Sequence, residues 1–436
     1  MLKAKPNLYL AIVLCLILLV TLFTLPIFND ESIYIRWAIA AKQTGNFLYS
    51  LTHGDKPPLL TWILIPTTYF PVSPFLSARI LMFGFTLLTA FILGSVLTST
   101  AGLIFLVLPY TVIFGRQVLA EPVIFLFVAS VIALKRQTHK PQTWLYLSAL
   151  LCLSLYLKSS LSLFLCLLIA PEIKQMKRDH LLSAAIPAII ILFPFVLPSY
   201  RQLFFTAQLH FVQVMPSLST ILARLQTLAF QFLYFLPALP LLFPLHMHKK
   251  HFSTLTAISV YLCFYIFTAP DANARYLAPI VPALVSILNT SHPKTWFLSI
   301  FVLISFFPRM FLVYVHQSWD YAQYYTHWSS GVGLPQLKAD LDKLVTSPTI
   351  ILVRPDSGHP EDFVVASYAR TNNPQLAYAT PEVLDFVIKN APKNYQLLYV
   401  SRDLQLPPEK YKLELMSTYP KLTPDHFVNL YRLLRD

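Results

Sequence analysis

From residue 8 to residue 315 the sequence is a succession of apolar runs, each closed by a proline, a polar break or a short basic cluster. One soluble core cannot hide so many runs, and water tolerates none of them exposed. Only 12% of the 436 residues are charged, against 56% hydrophobic, and the mean hydropathy is +0.58. A soluble domain carries about twice that charged fraction. The pattern predicts an α-helical polytopic membrane protein. Its 34 prolines imply many broken or capped helices, and its nine glycines leave little room for a glycine-rich phosphate loop.

Basic clusters orient the runs. Lys3 and Lys5 precede the first run (8–28), which is long enough to span and has no small-residue cleavage motif behind it, so it reads as a retained signal anchor. Alternating the runs from there yields about eleven spans (range 9–13): 8–28, 77–97, 100–117, 121–134, 143–157, 160–172, 181–198, 226–245, 253–269, 277–289 and 295–315. The cluster Lys135 to Lys140, then Lys174, Lys177 and Arg178, then His246 to Lys250, then Lys294 all fall on the side of the N-terminus. The positive-inside rule thus accounts for most of the net charge of +13, and a nucleic-acid partner is not indicated. The expected location is a prokaryotic plasma membrane, with the N-terminus inside and the C-terminus outside.

The stretches 32–44 and 58–72 are apolar but interrupted, which suits helices lying in the membrane interface. Residues 201–225 read as an external loop. An aromatic linker covers 316–339, and the pattern then changes to a soluble α/β domain over 340–436. Strands are expected at 349–353, 375–378, 396–400, 412–416 and 426–431, and helices at 363–369 and 381–389. The expected organisation is a membrane domain over 1–315, with its first external loop at 29–76, then the linker and the outer α/β domain. Cys15, Cys152, Cys166 and Cys263 all sit in apolar runs, which offers neither a disulfide framework nor a zinc spacing.

Before residue 340 there are eight acids: Asp30, Glu31, Asp55, Glu121, Glu172, Asp179, Asp271 and Asp320. The derived topology puts all but Glu172 and Asp179 on the outer side. A carboxylate beside apolar surface is costly, so this one-sided distribution asks for a reason. Asp30 and Glu31 lie just beyond the first run, and Tyr34 follows. After His53-Gly54-Asp55 comes Lys56-Pro57-Pro58-Leu59-Leu60-Thr61-Trp62, in which the two prolines stiffen the chain behind the lysine. Arg116 precedes Glu121-Pro122 by one turn, and Arg275-Tyr276 precedes a proline-spaced run.

An Asp-Glu pair soon after helix one, a following aromatic and a Lys-Pro-Pro-Leu with tryptophan beyond it resemble the polyprenyl-phosphate-sugar-dependent glycosyltransferases. That GT-C type family includes the protein O-mannosyltransferases and the lipid A aminoarabinose (ArnT-like) transferases. The Arg116…Glu121 pair, Arg275-Tyr276 and Lys158 after helix five are similar to further family positions. A basic residue often stands three positions after the aspartate in that family; here it is Ile33, with Arg36 further on.

The resemblance implies transfer of a sugar from a polyprenyl-phosphate donor to a hydroxyl acceptor (lipid, glycan or protein) on the extracytoplasmic face, with inversion. Asp30 would be the base, with Glu31 orienting or capping beside it and Glu121 a second catalytic carboxylate. Lys56, Arg116, Arg275, Tyr276 and Lys158 would surround the donor phosphate, and Tyr34, Asp55, Pro57 and Pro58 would complete the loop. The bilayer and the lipid-linked sugar are the expected partners; no cofactor is implied, and a divalent metal requirement stays open.

Plainer readings stand beside these. Lys56 suits a snorkelling interfacial lysine, Glu121 a helix-dipole partner, and Arg275-Tyr276 an aromatic-belt anchor. His246, His248 and His251 share a spacing with metal ligands but lie among lysines in an expected cytosolic loop. Two other functions fit the layout: a polysaccharide polymerase or ligase with a diphosphate-linked donor, and a lipid or sugar transporter. The latter would place acids at mid-helix, and here they stand at helix ends.

Overall fold

The structure is a computed structural model that describes residues 19, 22, 27–54, 56–209, 216–235, 251–268, 274–288, 331–354, 359–369, 371, 373–402, 411–420 and 427–435. The chain divides into two compact units. The first takes Met1–Leu22, Phe47–Ile63 and Arg79–Leu312; the second takes Phe23–Asn46, Leu64–Ala78 and Val313–Asp436.

The first unit is helical. Its helices include Ser99–Val107, Pro109–Phe114, Glu121–Leu134, Pro141–Leu155, Ser159–Ile173, Arg178–Leu192, Pro198–Leu209, Leu218–Phe235, Phe252–Thr268 and Ile280–Leu288, and most of Pro74–Val96. Pro74, Pro109, Pro122, Pro141 and Pro198 all stand in a first turn, where the missing N–H breaks no hydrogen bond. Much of the proline content is therefore helix initiation. Pro74–Val96 and Arg178–Val196 are long and apolar enough to cross a membrane. On the second of these, Leu181, Leu182, Ile186, Ile189, Ile190, Phe193 and Val196 are all exposed. A row of that size facing outward needs lipid rather than water as its solvent. The expected spans 8–28 (apart from Leu19, Leu22, Ile27 and Phe28) and 295–315 lie outside the described residues, as does the second half of 226–245.

The stretch 201–225 is not a loop where it is described: helices Pro198–Leu209 and Leu218–Phe235 occupy most of it. Arg224 sits within the second and is buried despite its charge. Its Nη1 donates to the Ile266 carbonyl oxygen at 2.7 Å, so the charge enters the interior already hydrogen-bonded. Near the other end, the helix Leu334–Leu344 begins inside the expected linker and buries Leu334, Leu337 and Leu341 at helical spacing.

The second unit holds a five-stranded sheet of β1 (Thr349–Val353), β2 (Gln375–Tyr378), β3 (Gln396–Ser401), β4 (Leu413–Pro420) and β5 (Phe427–Leu433), in the order β2-β1-β3-β5-β4. β1 pairs in parallel with both β2 and β3, while β5 runs antiparallel to β3 and β4. The helices Glu361–Tyr368 and Pro381–Asn390 make the two crossovers. The Thr380 side chain caps the second by accepting from Val383 N. One face of the sheet is sealed by Ile350, Leu352, Leu384, Val387, Leu397, Tyr399 and Tyr431. Every residue of β1 is buried, as a central parallel strand requires.

The Asn29–Thr44 helix also belongs to this unit, and it packs on Glu361–Tyr368. Glu361 opens that partner helix fully buried, and neither carboxylate oxygen has a hydrogen-bond partner. Burial pushes its carboxyl up to about 7, against the pull of its own backbone N–H and of Arg402 and Arg354, and with the added push of Asp362. The folded chain therefore holds the Glu361 proton more tightly than the unfolded chain does. Its contribution to stability is complete below about pH 4, where a free glutamate titrates, and is lost as pH rises through about 7. Glu361→Gln removes that loss. Thermal unfolding of the full chain in detergent is expected to show the variant more stable than wild type at pH 8, by a few kcal/mol, with the gap closing toward pH 5.

Candidate active site

Four of the sequence-predicted residues meet in the first unit. Glu121 opens its helix behind the turn Gly115 to Ala120, and Arg275 lies in the short 3-10 turn Ala274–Leu277. Arg275 Nε donates to Glu121 Oε1 at 2.8 Å, with Glu121 fully buried and Arg275 15% exposed. The other Glu121 oxygen is buried without a hydrogen-bond partner, so this carboxylate has acceptor capacity left over. Next along the chain, Tyr276 presents its ring to Lys158, whose Nζ lies 4.2 Å from the ring centroid. The Tyr276 carbonyl accepts from Tyr261 Oη at 2.9 Å, and its ring packs on Tyr265 at 5.0 Å. The dipeptide Arg275-Tyr276 thus joins a carboxylate on one helix to an ammonium at the start of another, residues 154 and 118 positions away.

Arg116 stands in the turn that leads to Glu121. Its Nε donates to the Val112 carbonyl at 2.6 Å and the side chain is buried. The turn is tight because Gly115 lets it be. A Cβ there would come within 2.4 Å of the Thr111 carbonyl oxygen and 2.9 Å of the Thr86 side chain. Thr86 Oγ1 in turn donates to the Gly115 carbonyl at 2.6 Å. Only a glycine allows this approach.

The Lys56-Pro57-Pro58 loop belongs to the same unit and is anchored at both ends. Lys56 N donates to the Ser50 carbonyl at 3.1 Å and Leu59 N to the Tyr156 carbonyl at 2.9 Å. Trp62 Nε1 bonds the Phe47 carbonyl at 2.6 Å, and its ring lies 5.7 Å from that of Tyr156. Tyr156 precedes Lys158 by two residues, so the proline-stiffened lysine loop is tied to the junction that carries the second lysine. Lys56 and Pro57 are half-buried and Pro58 is buried. Asp55 lies outside the described residues.

Asp30, Glu31 and Tyr34 lie in the second unit. They are not in a loop: the helix Asn29–Thr44 already contains both acids in its first turn. Glu31 is fully buried and accepts from Phe28 N at 2.8 Å, which closes the helix start from the inside. Asp30 is half-buried, as is Tyr34, whose ring meets Trp37 edge-on at 5.6 Å. The adjacent acids therefore separate into a structural one and an accessible one. Arg36 forms an ion pair with the fully buried Asp362. Sequence reading missed that pair, together with His359 and Glu361; the only trace is the run His359-Pro360-Glu361-Asp362, polar where a helix begins.

Among the described residues, no group of three or more His, Cys, Asp and Glu side chains is arranged to hold a metal ion. His251 is buried, and His246 and His248 lie outside the described residues.

Among solved structures the chain is similar to ArnT from Cupriavidus metallidurans in two states. The crystal structure bound to undecaprenyl phosphate matches with a TM-score of 0.66, and the apo structure with 0.63. Each shares 13% identity and covers 97% of both chains. At that identity the likeness is one of fold, and the chain has an ArnT-like GT-C fold. No protein-family model and no curated protein sequence matches the chain.

The buried pair can be tested through stability. Removing one member strands the other charge, which costs about 3–5 kcal/mol. Glu121→Gln and Arg275→Met are each expected to lower the thermal midpoint in detergent, and the double variant to lose less than the sum of the two.

Proposed function

We propose that this protein is an integral membrane glycosyltransferase that moves a sugar from a polyprenyl-phosphate donor to a hydroxyl group on a lipid, glycan or protein, on the extracytoplasmic face and with inversion. The observation that carries the reading is the end-to-end likeness to ArnT, one of whose structures holds undecaprenyl phosphate. The grouping of Glu121, Arg275, Tyr276 and Lys158 supports it.

In this reading Asp30 takes the proton from the acceptor hydroxyl as its oxygen attacks the anomeric carbon. The bond from that carbon to the phosphate oxygen breaks, and the electron pair leaves with the polyprenyl phosphate. Negative charge grows on the departing phosphate, so fixed cations lower the barrier. Lys56, held by its two prolines, and Arg275 are assigned to it. Glu121 orients Arg275, while Lys158, braced on Tyr276, and Arg116 add positive potential around it. The polymerase and transporter alternatives have no observation in their favour.

The reading places the protein in the plasma membrane, with residues 1–315 as the transferase part, 316–339 as an interfacial linker and 340–436 as an outer domain. Its basic clusters support a cytoplasmic N-terminus.

The test is sugar release from a panel of labelled polyprenyl-phosphate sugars in proteoliposomes. Wild type should turn over one donor. Asp30→Asn should lose about 10²- to 10⁴-fold in rate with donor binding kept. Lys56→Ala should weaken donor binding. Wild-type turnover by Asp30→Asn removes Asp30 as the base and shifts that role to Glu121.

A further inference from the structure

The helix that carries Asp30 is held from behind. Ser32 Oγ lies 2.7 Å from His359 Nε2, and both side chains are fully buried. One turn on, Arg36 pairs with the buried Asp362, and its guanidinium also lies over the Tyr378 ring at 5.1 Å. Near the helix end, Gln43 Nε2 donates to the Ala369 carbonyl at 3.2 Å. At about 100° per residue, positions 32, 36 and 43 fall within about 40° of one another around the helix. Asp30 and Tyr34 fall about 160° away from Ser32, on the opposite side. The gripping residues and the proposed base thus occupy opposite faces.

One further contact presses the same segment onto this unit, and a second packs a neighbouring helix on Glu361–Tyr368. A Cβ on Gly331 would come within 2.2 Å of the Ile27 carbonyl oxygen, so the chain entering the helix runs backbone to backbone against the chain entering the sheet domain. The Phe75 ring packs on Phe363 at 5.4 Å. A polar 16-residue helix has little stability of its own, and its direction comes from what it packs on.

We infer that His359 and Asp362 are positioning residues: through Ser32 and Arg36 they fix the helix Asn29–Thr44, so that the C-terminal domain sets where Asp30 stands. This rests on Asp30 being the base. An acceptor proton is taken at hydrogen-bond range, and a displacement of about 1 Å can cost about 10²-fold in rate. A base on a short helix needs that kind of backing.

The experiment combines hydrogen exchange on the purified full chain with transfer in proteoliposomes. Its variants are Arg36→Asp, Asp362→Arg, both together, and Ser32→Ala. Each charge variant should speed exchange of the 33–44 amides about tenfold or more and lower kcat by about 10- to 100-fold, with donor KM within about twofold of wild type. The double variant restores the pair and should recover both readouts. Ser32→Ala deletes one oxygen and keeps the fold, so it should move both readouts the same way by less. Slow exchange in β1 and β3 checks that the domain is folded in every variant.

Unchanged exchange in the 33–44 amides overturns the grip. Faster exchange with unchanged kcat overturns the positioning role. Failure of the underlying assignment looks different: Asp30→Asn would then keep wild-type turnover, while exchange in the four variants still decides whether the helix is held.

Discussion

A fully buried carboxylate needs a cation, a hydrogen-bond donor or a retained proton, and in this chain Glu121 finds its cation in Arg275. The two stand 154 residues apart in sequence, so the pair draws the Glu121–Leu134 helix and the turn before Ile280–Leu288 to one place. Tyr276 then follows Arg275 to Lys158, and Lys158 follows Tyr156 and the lysine loop. Low dielectric is what gives the arrangement its force. In water the same ions would be worth little, and the helix ends would be free to drift.

The second unit repeats the logic with different partners. Asp362 is buried at the first turn of its helix, Arg36 reaches it from a segment 326 residues earlier, and His359 meets Ser32 beside them. Next to these satisfied groups stands Glu361, buried with no hydrogen-bond partner and protonated more readily for it. Three neighbouring polar residues thus have three electrostatic solutions: an ion pair, a hydrogen bond and a retained proton.

What the sequence made legible follows the range of the forces involved. The helix at 121–134 and the strand at 375–378 stand where hydropathy and punctuation put them, because proline, apolar period and turn residues act locally. Glu121, Lys158 and Arg275-Tyr276 could each be picked out as charge or aromatic at the end of an apolar run; that they touch could not. Arg36 illustrates the limit. Its sequence neighbours offer no acid at helical spacing, and its partner Asp362 lies in another part of the chain. The first two turns of the helix at 218–235 were hidden for a related reason, since Arg224 looks like a solvated residue until its carbonyl partner, Ile266, is known. The order β2-β1-β3-β5-β4 is beyond local pattern altogether, because every strand reads alike until pairing decides its neighbours.

The second unit is assembled from both ends of the chain, and that has a consequence in time. Ser32 leaves the ribosome 327 residues ahead of His359. At about 5–20 residues per second, the two are separated by roughly 15–65 seconds of synthesis. Throughout that interval the Asn29–Thr44 helix has no domain to dock on, while the helices between are still being made. A chain released early, before the last strands, would keep its membrane part and lack the surface that orients Asp30. With Asp30 as the proposed base, such incomplete copies would be silent rather than misdirected.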